Sequence, residues 1–222
     1  MKSFKWIYEH VQTHLSGQDI EALLPNPLTV AQLSEVPDDR LFSDMTRRVF
    51  RAGLKHSLVD SKWPEFEKAF FGFDPVKISL MSDEQLENLM QNDKLIRHWG
   101  KIKAARVNAF MVSSIAEKEG SFARFIANWP SDDIISLWAF LKKEGAQLGG
   151  NSGASFLRMV GKDTFLLSDD VVAALKAQGI VDKKPTAKRD LLIVQDAFNQ
   201  WQQESGRPLC QISRLLSYTV GW

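Results

Sequence analysis

The sequence predicts an all-α protein, and three observations support this prediction. First, apolar residues recur at helical spacing, so that several segments would each present one buried face. This spacing is clear at Leu41, Phe42, Met45, Val49 and Ala52. Second, residues typical of helix ends flank these segments, such as Ser82 with Gln85 in the form of a capping box. Third, no run of alternating β-branched residues is bounded by hairpin turns, which argues against a sheet.

The first predicted helices follow one another along the N-terminal third of the chain. Residues 1–24 show an amphipathic pattern and precede a loop that contains several prolines. The apolar spacing that starts at Asp38 predicts a helix that ends near Gly53. A further helix should run from residue 61 to residue 71, with Pro64 tolerated in its first turn.

The remaining helices are marked mainly by their end signals. The capping box at Ser82 begins one helix, and the pattern over 102–118 predicts another that stops at Gly120. The glycine-dense stretch 145–153 should form a tight turn between two helices. Residues 168–170 (Ser-Asp-Asp) offer N-cap chemistry for a helix that ends at Gly179. Two final helices are predicted over residues 187–203 and 209–218.

Composition restricts the possible function classes. A chain of 222 residues with 44% hydrophobic residues can bury a substantial core and is not expected to be disordered. No apolar run approaches the ~18 residues of a membrane span, and no secretory leader is apparent, so we expect a cytoplasmic protein with no membrane partner. With Cys210 as the only cysteine, an internal disulfide and cysteine-rich metal sites are excluded. We expect no metal or other cofactor, and a monomer.

The positive residues form two groups although the net charge is only +1. Clustered positive charge on a nearly neutral protein is compatible with a nucleic-acid surface, but solvated helix faces give the same pattern. The first group contains Arg40, Arg47, Arg48, Arg51, Lys55, His56 and Lys62. The second group contains Lys94, Arg97, His98, Lys101, Lys103 and Arg106. The groups therefore favour DNA binding without establishing it.

Several contiguous motifs between residues 41 and 125 occur in the order found in one known family. They are 41–42 (Leu-Phe), 51–54 (Arg-Ala-Gly-Leu), 73–77 (Phe-Asp-Pro-Val-Lys), 95–104 (Leu-Ile-Arg-His-Trp-Gly-Lys-Ile-Lys-Ala) and 108–109 (Asn-Ala). The chain thereby resembles the 3-methyladenine DNA glycosylase I family. This resemblance implies a helix-hairpin-helix glycosylase fold with two helical lobes around a cleft. We expect residues 1–37 to form an N-terminal arm and residues 38–222 to form the glycosylase-like domain.

The glycine-rich turn lies where this superfamily has its DNA-binding hairpin. Residues 148–152 (Leu-Gly-Gly-Asn-Ser) are a degenerate form of that hairpin motif. Glycines let backbone N–H groups approach a phosphate, and the following helix N-terminus adds its positive end. The residues expected to bind double-stranded DNA are therefore Gly149, Gly150, Asn151, Ser152 and Gly153, together with Arg97 and Lys101.

The segment 162–170 resembles the stretch that supplies a catalytic aspartate in the alkyladenine branch of the superfamily. This resemblance makes Asp170 the first candidate and Asp169 the second. An ungapped comparison with another branch places Ser168 at the same position instead. The competing interpretation is that Asp169 or Asp170 only caps a helix.

The chain departs from the family at its zinc site and in its base pocket. The family carries a structural zinc held by cysteines and histidines, for which this chain lacks the cysteines. The family glutamate that accepts hydrogen bonds from the methylated base is replaced by Arg48, and the stacking tryptophan by His56. An arginine only donates hydrogen bonds and would repel a cationic base. Asp44, one helical turn before Arg48, could supply a carboxylate or pair with that arginine. Phe50, Trp63 and Trp99 are candidate stacking surfaces, although aromatic residues of this kind are more often part of the core.

The resemblance implies a monofunctional DNA N-glycosylase that excises an alkylated or otherwise damaged purine in base excision repair. Bifunctional relatives place a lysine nucleophile after the hairpin, where this chain has Ala154, so no lyase step is expected. The first alternative is a non-catalytic protein that binds DNA damage or DNA structure with the same fold, which the replacement by Arg48 keeps open. A protein-interaction scaffold is a weaker alternative, because it leaves the hairpin and the basic groups unexplained.

Overall fold

The computed structural model describes residues 1–220, which contain α-helices, short 3₁₀ turns and loops but no β-strand. The predicted all-α class is thus confirmed. In chain order the helices are α1 (Phe4–His14), α2 (Val30–Ser34), α3 (Asp38–Arg51), α4 (His56–Ala69), α5 (Pro75–Ser79), α6 (Asp83–Gln91), α7 (Trp99–Glu119), α8 (Phe122–Asn128), α9 (Ile134–Glu144), α10 (Asn151–Met159), α11 (Asp169–Ala177), α12 (Lys188–Ser205) and α13 (Leu209–Ser217). Within the described range, no helix combines the length and the apolar character needed to cross a lipid bilayer.

The predicted end signals lie at the helix ends in the structure. The Ser82 side chain accepts from the Gln85 amide and the Gln85 side chain accepts from the Ser82 amide, so the capping box of α6 is complete. Helix α7 ends at Gly120, whose φ of 82° is the left-handed conformation that glycine adopts without steric cost. These two ends are set by local backbone chemistry, which is why sequence patterns locate them.

Helix α4 is longer than predicted. It begins at His56 and not at residue 61, so Pro64 lies in the helix interior and not in its first turn. Val59 is fully buried and precedes the predicted start, which extends the packed face by one turn toward the N-terminus. Pro64 itself is on the exposed side of the helix. Tertiary packing of the opposite face therefore outweighs the local cost of an interior proline.

One compact unit comprises residues 29–129 and 137–160. Helix α3 packs against α4, α7 and α10 in this unit, and α7 also packs against α5 and α8. Aromatic rings fill the space between α3 and α4; Trp63 lies parallel to Phe66 and Phe73, with ring centroids 5.0 and 5.2 Å away. This packing holds the C-terminal end of α3 in a defined position against α7.

A second compact unit comprises residues 1–28, residues 130–136 and the described residues from 161 onward. Helix α1 packs against α12 and α13. The Trp201 indole donates to the Lys2 carbonyl at 2.9 Å, and Arg207 pairs with Glu21 at 2.6 Å. Residues 1–28 therefore pack with the C-terminal helices, whereas the expected N-terminal arm comprised residues 1–37.

Candidate nucleic-acid interface and base site

Three segments that are distant in sequence meet in the unit that contains α3, α7 and α10. The Lys101 ammonium, in the first turn of α7, donates to the Val49 and Ala52 carbonyls at the end of α3, at 2.5 and 2.8 Å. The Gln147 side chain in the glycine-rich turn donates to the Gly100 carbonyl at 2.9 Å. The end of α3, the start of α7 and the turn before α10 therefore form one continuous region.

The surroundings of Lys101 argue against the predicted DNA contact. Its side chain is 5% exposed, and its ammonium stabilises carbonyls at the end of α3 that have no partner within the helix. Burial lowers the pKa of this ammonium, and the nearby charge of Arg48 lowers it further. The periodicity of the basic residues could not reveal this role, because the acceptors lie about fifty positions earlier in the chain.

We expect Lys101→Met to lower the free energy of unfolding by about 2 kcal/mol, because two buried carbonyls lose charge-assisted hydrogen bonds. The measurement is urea unfolding followed by circular dichroism. Lys103→Met is the matched control; Lys103 is exposed on the same helix, and its ammonium lies 5.6 Å from the Trp99 ring centroid. A Lys101→Met protein as stable as the control would show that the two hydrogen bonds do not hold the end of α3.

Arg48 is half-buried at the same place and has no acceptor for its Nε within residues 1–220. The possible ion pair between Arg48 and Asp44 does not form. Instead, the Asp44 carboxylate lies 3.7 Å from the guanidinium of Arg47, the residue before Arg48. Burial is the main cause that lowers the pKa of the Arg48 guanidinium, and the charge of Arg51 adds to it. For Asp44, burial raises the pKa of the carboxyl, with Arg47 opposing that effect.

Two of the proposed stacking residues belong to the core, and this part of the prediction is corrected. Phe50 is 0% exposed and packs edge-on against Phe66, with ring centroids 4.7 Å apart. Trp63 is 3% exposed and is covered by the guanidinium of Arg47, 4.9 Å from its ring centroid. Neither ring offers a free face to a base in this conformation. His56 is exposed at the start of α4 and Trp99 is partly exposed at the start of α7, so these two retain accessible rings.

Much of the predicted positive charge is already engaged within the protein. Arg40 pairs with Glu67 at 3.0 Å and Arg51 with Asp60 at 2.6 Å. Lys62 donates to the backbone carbonyls of residues 93 and 94, and Arg106 pairs with Asp83. The cationic side chains in the two groups that make no ion pair or hydrogen bond through that charge within residues 1–220 are Arg48, Lys55, Lys94, Arg97 and Lys103, with His56 and His98 beside them.

The glycine-rich turn has the backbone geometry of a tight connection between α9 and α10. Gly150 has a φ of +57°, and a Cβ at this position would meet open space. A Cβ on Gly153 would lie 2.8 Å from the Leu148 carbonyl oxygen, so only glycine fits there. Gly149 packs against the side chain of Lys142, an exposed residue that sequence reasoning did not select. Gly150, Asn151 and Ser152 are at least partly exposed, which leaves this turn accessible to a ligand.

Asn108 holds this turn in place and was missed as a functional support. Its side chain is fully buried, accepts from the Ala146 amide at 2.7 Å and donates to the Ala146 carbonyl at 3.1 Å. The sequence signal for this role is an asparagine at an apolar position of α7. Buried polar side chains almost always have a specific partner, so such a residue indicates a hydrogen bond to another segment. Asn108 connects the longest helix directly to the turn.

The three candidates for the catalytic position have different surroundings at the start of α11. Ser168 is the N-cap, and its hydroxyl accepts from the Val171 amide at 3.3 Å. Asp169 pairs with Lys184 at 3.1 Å. Asp170 is exposed and makes no ion pair or side-chain hydrogen bond within residues 1–220. Neither aspartate is the cap, so the competing interpretation of both residues as helix caps is wrong.

No metal-binding arrangement is seen in the described part of the chain. Cys210 is buried, and its thiol lies 3.7 Å from the Pro25 carbonyl oxygen. No three His, Cys, Asp or Glu side chains in residues 1–220 are grouped closely enough to hold a metal ion.

Comparison with known proteins gives consistent matches. Residues 33–184 match the methyladenine glycosylase family model. DNA-3-methyladenine glycosylase 1 of Escherichia coli (strain K12) is 33% identical over 92 residues, which cover 41% of this chain and 49% of that protein. The chain thus matches about half the length of this curated relative. The 3-methyladenine DNA glycosylase I structure from Staphylococcus aureus aligns with a TM-score of 0.51 and 25% identity, covering 70% of this chain and 85% of that one.

A wider fold relationship extends over nearly the whole chain. The 8-oxoguanine DNA glycosylase of Methanocaldococcus jannaschii aligns with a TM-score of 0.58 at 16% identity, covering 96% of this chain and 92% of that one. At this identity the match concerns the fold alone. The family model, by contrast, covers well over half of the chain. This protein therefore belongs to the methyladenine glycosylase family.

Proposed function

We propose that this protein is a monofunctional DNA N-glycosylase that removes a damaged purine during base excision repair. The single observation that carries the proposal is the free carboxylate of Asp170 at the start of α11, in a family whose curated relative is named a DNA-3-methyladenine glycosylase. Asp169 is engaged by Lys184 and Ser168 by the helix, so Asp170 alone of the three candidates is available. Its partner is double-stranded DNA.

The carboxylate would act on the charge that develops during cleavage. As the bond between the base and C1′ breaks, the deoxyribose becomes positively charged, and a nearby carboxylate stabilises it. Water then adds its oxygen to C1′ and the base leaves with a proton, which leaves an abasic site. Ala154 is fully buried on α10 and has no amine, so the chain lacks a nucleophile for a Schiff base at that position.

The glycine-rich turn and the free cationic side chains would hold the DNA. The turn supplies backbone amides near the N-terminus of α10, where an anion is favoured. Lys142 lies beside Gly149 and is exposed. Arg97 is also exposed and shortly precedes Gly100, whose carbonyl accepts from Gln147 in the turn. Contacts of this kind fix the position of the backbone and carry no base specificity.

Base release from damaged genomic DNA tests the proposed function. We expect the protein to liberate a free purine from DNA treated with an alkylating, deaminating or oxidising agent, with the product identified by mass spectrometry. DNA without protein is the control for spontaneous loss. Salt-sensitive DNA binding with no base released from any of the three substrates would favour the non-catalytic damage-binding alternative.

A further inference from the structure

Arg48 contains a buried hydrogen-bond donor that the folded protein does not satisfy. Its Nε lies out of contact with solvent and has no acceptor within residues 1–220. The rest of the side chain is only half-buried at the junction of α3 with α7. A buried N–H without a partner costs free energy. The Nε of the adjacent Arg47 shares this state, but the guanidinium of Arg47 is engaged by Asp44 and by the Trp63 ring. Arg48 is therefore the arginine of this pair that is open to an acceptor from outside the chain.

The surroundings of Arg48 carry positive charge without a free acid. Asp44, one turn earlier on α3, lies against Arg47, and Asp60 on α4 is held by Arg51. Lys101 adds a further ammonium that is committed to two backbone carbonyls. A ligand group at this place must therefore offer lone pairs and must not carry a positive charge.

We propose that Arg48 determines substrate specificity by donating to the acceptor edge of an uncharged purine, such as a deaminated base. This inference rests on the proposed function, because it concerns the base that the glycosylase would take. The planar guanidinium fork matches the O6 and N7 acceptors of a 6-oxopurine in a bidentate manner. A cationic N-alkylated adenine instead brings a positive charge toward Arg48 and presents an amino donor where an acceptor is needed.

A phosphate oxygen could also be the acceptor for Arg48. Substitutions of Arg48 distinguish a phosphate acceptor from a base acceptor. A lysine can also contact a phosphate, as a point charge. A base edge needs the flat fork of arginine. Arg48→Lys and Arg48→Met therefore have different consequences for the two sources.

The test uses duplexes with one 2′-fluoroarabino nucleotide, which resists hydrolysis, carrying hypoxanthine, 7-methylguanine or unmodified guanine. We expect the wild-type protein to bind the hypoxanthine duplex roughly tenfold more tightly than the cationic 7-methylguanine duplex, as one bidentate contact allows. Arg48→Lys and Arg48→Met should both abolish this preference. They should leave affinity for the guanine duplex nearly unchanged, because a guanine paired with cytosine stays stacked in the duplex and does not reach Arg48. Lys55→Met, which alters an exposed cation on the same surface, should weaken all three duplexes by a similar factor.

Three results would overturn the inference. They are equal binding of the hypoxanthine and 7-methylguanine duplexes by the wild-type protein, a preference that survives in Arg48→Lys, and an equal loss of affinity for all three duplexes in Arg48→Met. Base release is measured separately on ordinary deoxynucleotide duplexes. Preferential binding of the hypoxanthine duplex without base release would contradict the proposed enzyme activity but support the role of Arg48. Base release without a binding preference would support the enzyme activity but contradict the role of Arg48.

Discussion

Asp170→Asn is expected to reduce base release by roughly 100-fold or more, because the amide cannot neutralise the charge that develops on the sugar. DNA binding and melting temperature should stay close to wild type. The structure explains the second expectation: Asp170 is exposed, is not the N-cap of α11 and makes no ion pair within residues 1–220. Single-turnover base release, DNA binding and thermal melting of the same preparation measure all three properties.

The two neighbouring residues are the matched controls. Asp169→Asn removes only an exposed ion pair with Lys184, which contributes little to stability, and should retain base release. Ser168→Ala removes the cap of α11 and should cost about 1 kcal/mol of stability with release retained in the folded fraction. Full base release by the Asn variants at both 169 and 170 would contradict the catalytic assignment and favour the non-catalytic alternative.

Gly150→Val is expected to weaken binding to double-stranded DNA by roughly tenfold at physiological salt, the effect of losing one or two phosphate contacts. The added side chain would project from the turn into open space, where a phosphate would approach the backbone amides. Wild-type affinity should itself fall steeply between low and physiological salt, since phosphate contacts release counterions. Fluorescence anisotropy with a labelled duplex at several salt concentrations measures both effects.

Gly206→Val separates this effect from backbone strain. Gly206 follows α12, has a φ of +70° and has no atom near its ideal Cβ position, so a valine there also carries a conformational penalty. The penalty is larger at Gly150, whose ψ of −134° lies outside the left-handed helical region. It should lower stability without changing DNA affinity in the folded fraction. An equal loss of affinity in both variants would remove the turn from the DNA-binding proposal.

Local sequence determined the helical class and most helix ends. The capping box at Ser82 and the glycine stop at Gly120 are interactions between residues at most a few positions apart, so their signals are readable without a structure. The family was also readable, because its motifs are contiguous and occur in the family's order. The start of α4 could not be predicted from the sequence, since the burial of Val59 depends on the residues that pack against it.

The roles of the charged residues were decided by the tertiary structure. Asp44 is within reach of both Arg47 and Arg48 on an ideal helix, and the packing of Arg47 over Trp63 accompanies the pairing that forms. Lys101 is buried beneath the end of α3 by acceptors far away in sequence. Sequence by itself thus determined the backbone and the family, because these depend on near neighbours and contiguous motifs. The tertiary structure decided which charges remain available to a ligand, because packing between distant segments brings the internal partners of the other charges into place.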